Sequence, residues 1–103
     1  MIAEIASHRE ELMELCRRFH VRRLDLFGSA TGDDFDLAHS DLDFLVEFDR
    51  AAPGAMSFKT FFGLKEALEA LLGRSIDLVE PSAILNPYLK QSVERSRESV
   101  FEA

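Results

Sequence analysis

The sequence predicts an α/β domain of the α+β kind, a mixed sheet of about four strands with helices packed on one face. Three observations predict it. Apolar residues fall at every second position through 42–48, with acids at 41, 43 and 47 between them, and apolar residues recur at helical spacing in several other stretches. Turn residues punctuate the chain so that its elements fall in the order α-β-β-α-β-α-β. At 103 residues the length suits a single domain spanning 1–103, built on a single core.

Ile2, Ile5, Leu12, Leu15, Cys16 and Phe19 recur at helical spacing, so the first twenty residues read as an amphipathic helix. Ser7 and Glu10 have capping-box spacing and offer a second start for it. Val21 to Phe27 switches to a strand, with Leu24 and Leu26 on one face, and Gly28 ends it. Ala30 to Ser40 is an acidic, turn-rich loop containing Gly32, Asp33, Asp34 and Asp36. In Asp41 to Phe48, Leu42, Phe44, Val46 and Phe48 fall on one face, and Asp41, Asp43, Leu45 and Glu47 on the other. That is a half-buried strand. A loop with Pro53-Gly54 follows, and Ser57 caps a helix reaching Leu72. Its apolar stripe is Phe58, Phe61, Phe62, Leu68, Leu71 and Leu72, with Gly73 as its stop. Ser75 to Val79 is a short strand. Asn86-Pro87 starts a last helix carrying Tyr88, Leu89 and Val93, and Ser99 to Phe101 adds an edge strand.

Composition narrows the function classes. With 47% hydrophobic and 30% charged residues the chain has the balance of a globular protein rather than a disordered one. A net charge of −7 argues against direct nucleic-acid binding, which depends on Lys and Arg neutralising phosphates. A charged substrate would need metal ions as mediators, whereas a basic protein partner suits the charge as it stands. No apolar run approaches the ~18–20 residues of a membrane span. Met1-Ile2-Ala3-Glu4 lacks the basic start of a secretory signal. Cys16 is the single cysteine, so the expected setting is a reducing cytoplasm.

The residues with chemical content lie around two turns. Residues i and i+2 of a strand share a side, so Asp41 and Asp43 project together. Two such carboxylates repel unless a cation stands between them, and hard oxygen ligands suit Mg²⁺. Asp77, set in Ile76-Asp77-Leu78-Val79, occupies an expensive place for a lone charge. If its strand lies beside that of Asp41 and Asp43, three acids converge. Gly28-Ser29 follows a strand, where backbone N–H groups and a hydroxyl are turned outward, the local chemistry of a phosphate cradle. Plainer readings stand beside these: Asp41 and Asp43 as a solvated strand end, Asp77 as a surface or capping acid, Ser29 as a turn cap.

Other residues read as structural. Arg17, Arg18, Arg22 and Arg23 favour a solvated face at a helix C-terminus, meeting its dipole. Asp25 reads as an exposed strand position, with another cleft acid as the alternative, and Tyr88 as an amphipathic anchor on the last helix. Phe58, Phe61 and Phe62 read as core, and His8, His20 and His39 lack metal-ligand spacing.

Leu26-Phe27-Gly28-Ser29 followed by Ser40-Asp41-Leu42-Asp43-Phe44-Leu45-Val46 resembles the signature of the DNA-polymerase-β-like nucleotidyltransferase superfamily. More narrowly it is similar to the minimal nucleotidyltransferase (MNT) proteins, as is the run Leu64-Lys65 … Leu71-Leu72-Gly73-Arg74-Ser75-Ile76-Asp77-Leu78-Val79. The likeness extends from Val21 to the C-terminus. It implies the nucleotidyltransferase fold, with Gly28 and Ser29 holding the triphosphate of ATP. Asp41 and Asp43 would ligate a pair of Mg²⁺ ions, and Asp77 would hold one of them and help deprotonate the attacking hydroxyl. Members of the family commonly act as antitoxins of HEPN-domain ribonuclease toxins, and some transfer AMP from ATP to a toxin tyrosine. The resemblance therefore implies a protein adenylyltransferase antitoxin in a hetero-oligomer with a HEPN toxin. The chain departs from the family pattern in two ways: the spacer Ala30 to Ser40 is a residue longer than usual, and no Arg or Lys follows Ser29 closely. Those departures favour the alternative of a catalytically reduced antitoxin that binds and occludes its toxin.

Overall fold

A computed structural model describes residues 3–28, 42–51 and 58–103. Along them the chain forms α1 (Ala3–Ser7), α2 (Arg9–Arg18), β1 (Val21–Phe27), β2 (Leu42–Phe48), α3 (Phe58–Leu72), β3 (Ile76–Val79), a 3₁₀ turn (Pro81–Ala83), α4 (Pro87–Ser96) and β4 (Glu98–Glu102). Ser29, Asp41 and the expected cap Ser57 lie outside the described residues.

The described strands form one four-stranded sheet in the order β3-β2-β1-β4. β1 is antiparallel to both β2 and β4, and β2 is parallel to β3, so the sheet is mixed as expected. Leu42, Phe44, Val46 and Phe48 of β2 are buried together with Leu24, Leu26, Ile76 and Leu78 of the flanking strands. Leu12 and Cys16 of α2 and Leu64, Leu68 and Leu72 of α3 close the same core. Period-2 alternation thus meets a helical stripe repeating every four residues, and burial of these side chains is the main favourable term in folding. Among the described residues no helix is long and apolar enough to cross a membrane.

The expected first helix is broken in two. His8 forms a turn between α1 and α2, with its amide bonded to the Ile5 carbonyl at 3.3 Å. The Ser7 hydroxyl donates back to the Glu4 carbonyl at 3.1 Å, and His8 Nδ1 lies 2.9 Å from the same oxygen. Ser7 therefore makes no capping box; its hydroxyl serves the carbonyls of the preceding turn. α2 ends with the Phe19 amide on the Leu15 carbonyl at 3.0 Å and with His20 at φ 60°, the left-handed position that commonly terminates helices. Arg17 and Arg18 do lie in the last turn of α2, exposed and favourably placed against its dipole, whereas Arg22 and Arg23 belong to β1.

The aromatic trio at the start of α3 corrects the sequence reading. Phe58 is 84% exposed and Phe62 52% exposed; only Phe61 packs partly against the core. The rings satisfy one another instead: Phe61 and Phe62 meet edge-to-face at 5.3 Å. The buried stripe of α3 is the narrower line Leu64, Leu68 and Leu72. Tyr88 is likewise exposed and anchors nothing within the described residues' core. Asn86, by contrast, caps α4 as expected, its Oδ1 accepting from the Tyr88 amide at 2.9 Å and the Leu89 amide at 3.3 Å.

Two outcomes follow. Leu68→Ala, at a fully buried position, lowers the unfolding free energy in urea by ~2–5 kcal/mol, whereas Phe58→Ser shifts it by less than ~0.5 kcal/mol. Burial pushes the Cys16 thiol up from 9.0 to about 12. The folded chain therefore keeps a proton that the unfolded chain releases above pH 9, so this contribution is complete below that pH and is lost progressively as pH rises towards 12. Urea titrations at successive pH values, wild type against Cys16→Ala, should show the alkaline decline shallower in the variant.

Candidate functional site

Because β1 and β2 are antiparallel, the end of β1 and the start of β2 come to the same end of the sheet, and Phe27 stands opposite Asp43. In the parallel β2–β3 ladder Asp43 stands opposite Asp77. Adjacent strands lie ~4.8 Å apart and residues in register project to the same face. Asp43 and Asp77 are therefore neighbours on the face opposite the core residues Leu42, Phe44, Ile76 and Leu78. Asp43 is half-buried and Asp77 exposed. Such a donor set of hard carboxylate oxygens fits a divalent cation of the Mg²⁺ type. Asp41, the third expected ligand, lies outside the described residues, and among the described residues no group of three or more His, Cys, Asp or Glu converges to hold a metal.

Gly28 closes the site from β1. Its φ of +76° is one that L side chains rarely adopt, and a Cβ placed there would lie 2.7 Å from Asp43 Oδ2. Only glycine lets the β1 turn and the Asp43 carboxylate occupy the same corner. The Gly28 amide donates to Ser96 Oγ at 3.2 Å, and the Ser96 hydroxyl donates to the Val93 carbonyl at 3.3 Å. The last turn of α4 thus reaches the glycine turn directly.

Asp25 differs from the exposed strand position expected for it. It is wholly buried, on the same face as Asp43 by alternation from Leu24 and Leu26. Arg97, immediately after α4, places Nε 2.6 Å and Nη2 2.5 Å from Asp25 Oδ2, and Arg23 Nε lies 3.2 Å from Oδ1. Arg97 Nη1 also bonds Glu94 Oε1 at 2.6 Å. Burial alone would lower the Arg97 pKa, but the hydrogen bond and charge of Asp25, then those of Glu94, outweigh it and raise the guanidinium above its ordinary value. A buried carboxylate so paired is tolerable only because its oxygens are hydrogen-bonded.

Ser96 and Arg97, which contact Gly28 and Asp25, are residues that sequence reasoning missed, and Asp25 is one that it weighed as a cleft acid and set aside. Their partners lie 68 to 72 residues apart, beyond any local pattern; an aspartate between the leucines of Leu24-Asp25-Leu26 was the one available signal. Arg97→Ala strands the buried Asp25 carboxylate with Arg23 as its remaining cation, and should cost about 3 kcal/mol in a urea titration. Glu94→Ala, which removes only the exposed end of the chain of pairs, should cost under ~1 kcal/mol in the same measurement.

Comparison with known proteins identifies the family and the fold. Residues 8–100 match the model of the family described as the nucleotidyltransferase domain. The chain is 39% identical over 80 residues to the protein adenylyltransferase MntA of Thermococcus cleftensis, covering 78% of this chain and 73% of that protein. It is 36% identical over 94 residues to a candidate protein adenylyltransferase of Methanocaldococcus jannaschii, covering 90% of this chain and 88% of the other. Among solved structures it superposes on a candidate minimal nucleotidyltransferase with TM-score 0.72 and 32% identity, over 90% of this chain and 89% of that one. A Shewanella oneidensis complex of a tri-AMPylated HEPN toxin with its MNT antitoxin shares the fold, with TM-score 0.64 at 18% identity, over 96% of this chain and 73% of that one.

Proposed function

From the premise that the chain belongs to the nucleotidyltransferase domain family, we propose that it is a cytoplasmic antitoxin that transfers AMP from ATP to a tyrosine hydroxyl of a partner HEPN-domain toxin. The observation that carries the reading is the Asp43–Asp77 register, with Gly28 bare against the Asp43 carboxylate. The relatives named as protein adenylyltransferases support the reaction, and the shared fold of the MNT antitoxin supports the partner.

The residues fit the group that such a reaction requires. Asp43 and Asp77, with Asp41, would hold Mg²⁺, which when bound relieves the charge of the triphosphate and acidifies the attacking hydroxyl. Gly28 and Ser29 would receive the phosphates. Asp77, exposed on the edge strand, would accept the phenolic proton at its carboxylate. The tyrosine oxygen bonds to the α-phosphorus as the bond from that phosphorus to the bridging oxygen of pyrophosphate breaks. The protein's share is to align these groups and to hold negative charge where cations are needed.

Intact-mass spectrometry of the adjacent gene's product, after incubation with this protein, ATP and Mg²⁺, should show a gain of one or more adenylate groups. Asp43→Asn and Asp77→Asn should each reduce the rate by at least ~10²-fold. An unmodified partner with wild-type protein rejects catalysis. The second reading, neutralisation by binding alone, is favoured by the acids Asp33, Asp34 and Asp36 and the absence of a nearby Arg or Lys after Ser29. It stands if Asp43→Asn still protects cells from the toxin.

A further inference from the structure

We infer that Ser96 is a positioning residue for the nucleotide turn, and that the junction between α4 and β4 acts as the brace of that turn. The inference rests on the proposed nucleotide chemistry and deepens it. Its ground is the direction of two hydrogen bonds. The Ser96 hydroxyl has one proton, and it is given to the Val93 carbonyl at 3.3 Å. The oxygen's lone pairs are therefore turned outward, and they receive the Gly28 amide at 3.2 Å. A helical i→i−3 bond sets the rotor, and the rotor sets the glycine turn.

The next residue repeats the connection one step further along β1. Arg97 grips the buried Asp25 carboxylate at 2.6 Å through Nε, three residues before Gly28. Two successive residues of the junction thus hold β1 at two points, one through its backbone and one through a side chain. Between them β1 has little freedom to slide or rotate relative to β2, where Asp43 stands. Gly28 has no room to adjust in the other direction, because the space that a Cβ would fill belongs to Asp43 Oδ2.

The geometry also divides the work of the turn. The Gly28 N–H is given to Ser96, so what Gly28 offers a nucleotide is its lack of a side chain beside Asp43. Removing the Ser96 oxygen leaves the Gly28 amide without this partner, and a glycine, which adopts many backbone angles, is then less firmly held at its φ of +76°. The expected effect is on nucleotide affinity rather than on folding, since Ser96 is an isolated partly buried hydroxyl outside the core.

Two measurements on the full chain test this. Calorimetric titration with a non-hydrolysable ATP analogue and Mg²⁺ should give a Kd about tenfold weaker for Ser96→Ala, the equivalent of one lost hydrogen bond, and a value within about twofold of wild type for Ser96→Thr. Hydrogen exchange at the Gly28 amide should accelerate about tenfold in Ser96→Ala while exchange of the core amides of β2 stays unchanged. Equal affinities for wild type and Ser96→Ala overturn the inference and leave the proposed reaction standing. A wild-type chain that takes no analogue overturns the nucleotide reading itself, and the inference with it. Acceleration spread over β2 as well as Gly28 shows a merely structural hydroxyl and overturns it too.

Discussion

The register of β2 against β3 is the constraint on which the rest of the molecule depends. It places Asp43 beside Asp77, two like charges on neighbouring strands, an arrangement that opposes itself electrostatically. What holds it is the other face of the same strands. Leu42 pairs with Ile76 and Phe44 with Leu78, all buried in the common core. A slip of one residue in either strand would turn its aspartate into that core and bring its apolar side chains out. Desolvating a carboxylate costs far more than the mutual repulsion of two at the surface, so the core enforces a charge pair that would otherwise separate.

The strand on the other side of β2 uses a different device. β1 carries a third acid on the same face, but Asp25 is wholly buried and matched by Arg97 and Arg23. A buried pair of this kind adds little net stability compared with an apolar replacement, but breaking it is expensive. Its consequence is geometric: it ties β1 to the segment that returns from α4 into β4. Gly28 is tied to the same segment by its amide. The turn that faces Asp43 is thus fixed by bonds that span most of the chain, while the acid pair is fixed by hydrocarbon packing.

What could be read in advance follows the range of the forces involved. β2 was legible because its alternation is local and its two faces meet different environments, and the Asn86-Pro87 start of α4 was legible because capping is a contact over two or three residues. The adjacency of Asp43 and Asp77 was legible only as a condition, since periodicity places each on a face but says nothing of which strands pair. The break at His8 was hidden because hydrogen bonds of Ser7 and His8 to one carbonyl compete with the helix without altering its apolar spacing. The exposure of Phe58 and Phe62 was hidden for the converse reason: their spacing suits an apolar stripe, but the sheet receives α3 along Leu64, Leu68 and Leu72. Asp25 was misjudged because alternation predicts a face, and here the return of the chain after α4 supplies a cation on it.

The three acids on this face differ in what they leave available. Asp25 is neutralised from within by two guanidinium groups, so it contributes direction to the fold and no net charge to its surroundings. Asp77, on the edge strand, is exposed, and Asp43 between them is half-buried. Burial therefore decreases across the sheet from a structural carboxylate to one that meets solvent, and the negative potential is concentrated towards the β3 edge. A partly desolvated carboxylate beside an exposed one attracts a cation more strongly than two fully hydrated ones, because the low-dielectric side screens less. The sheet itself, rather than a loop, thus determines where a cation and the phosphates it accompanies would be drawn.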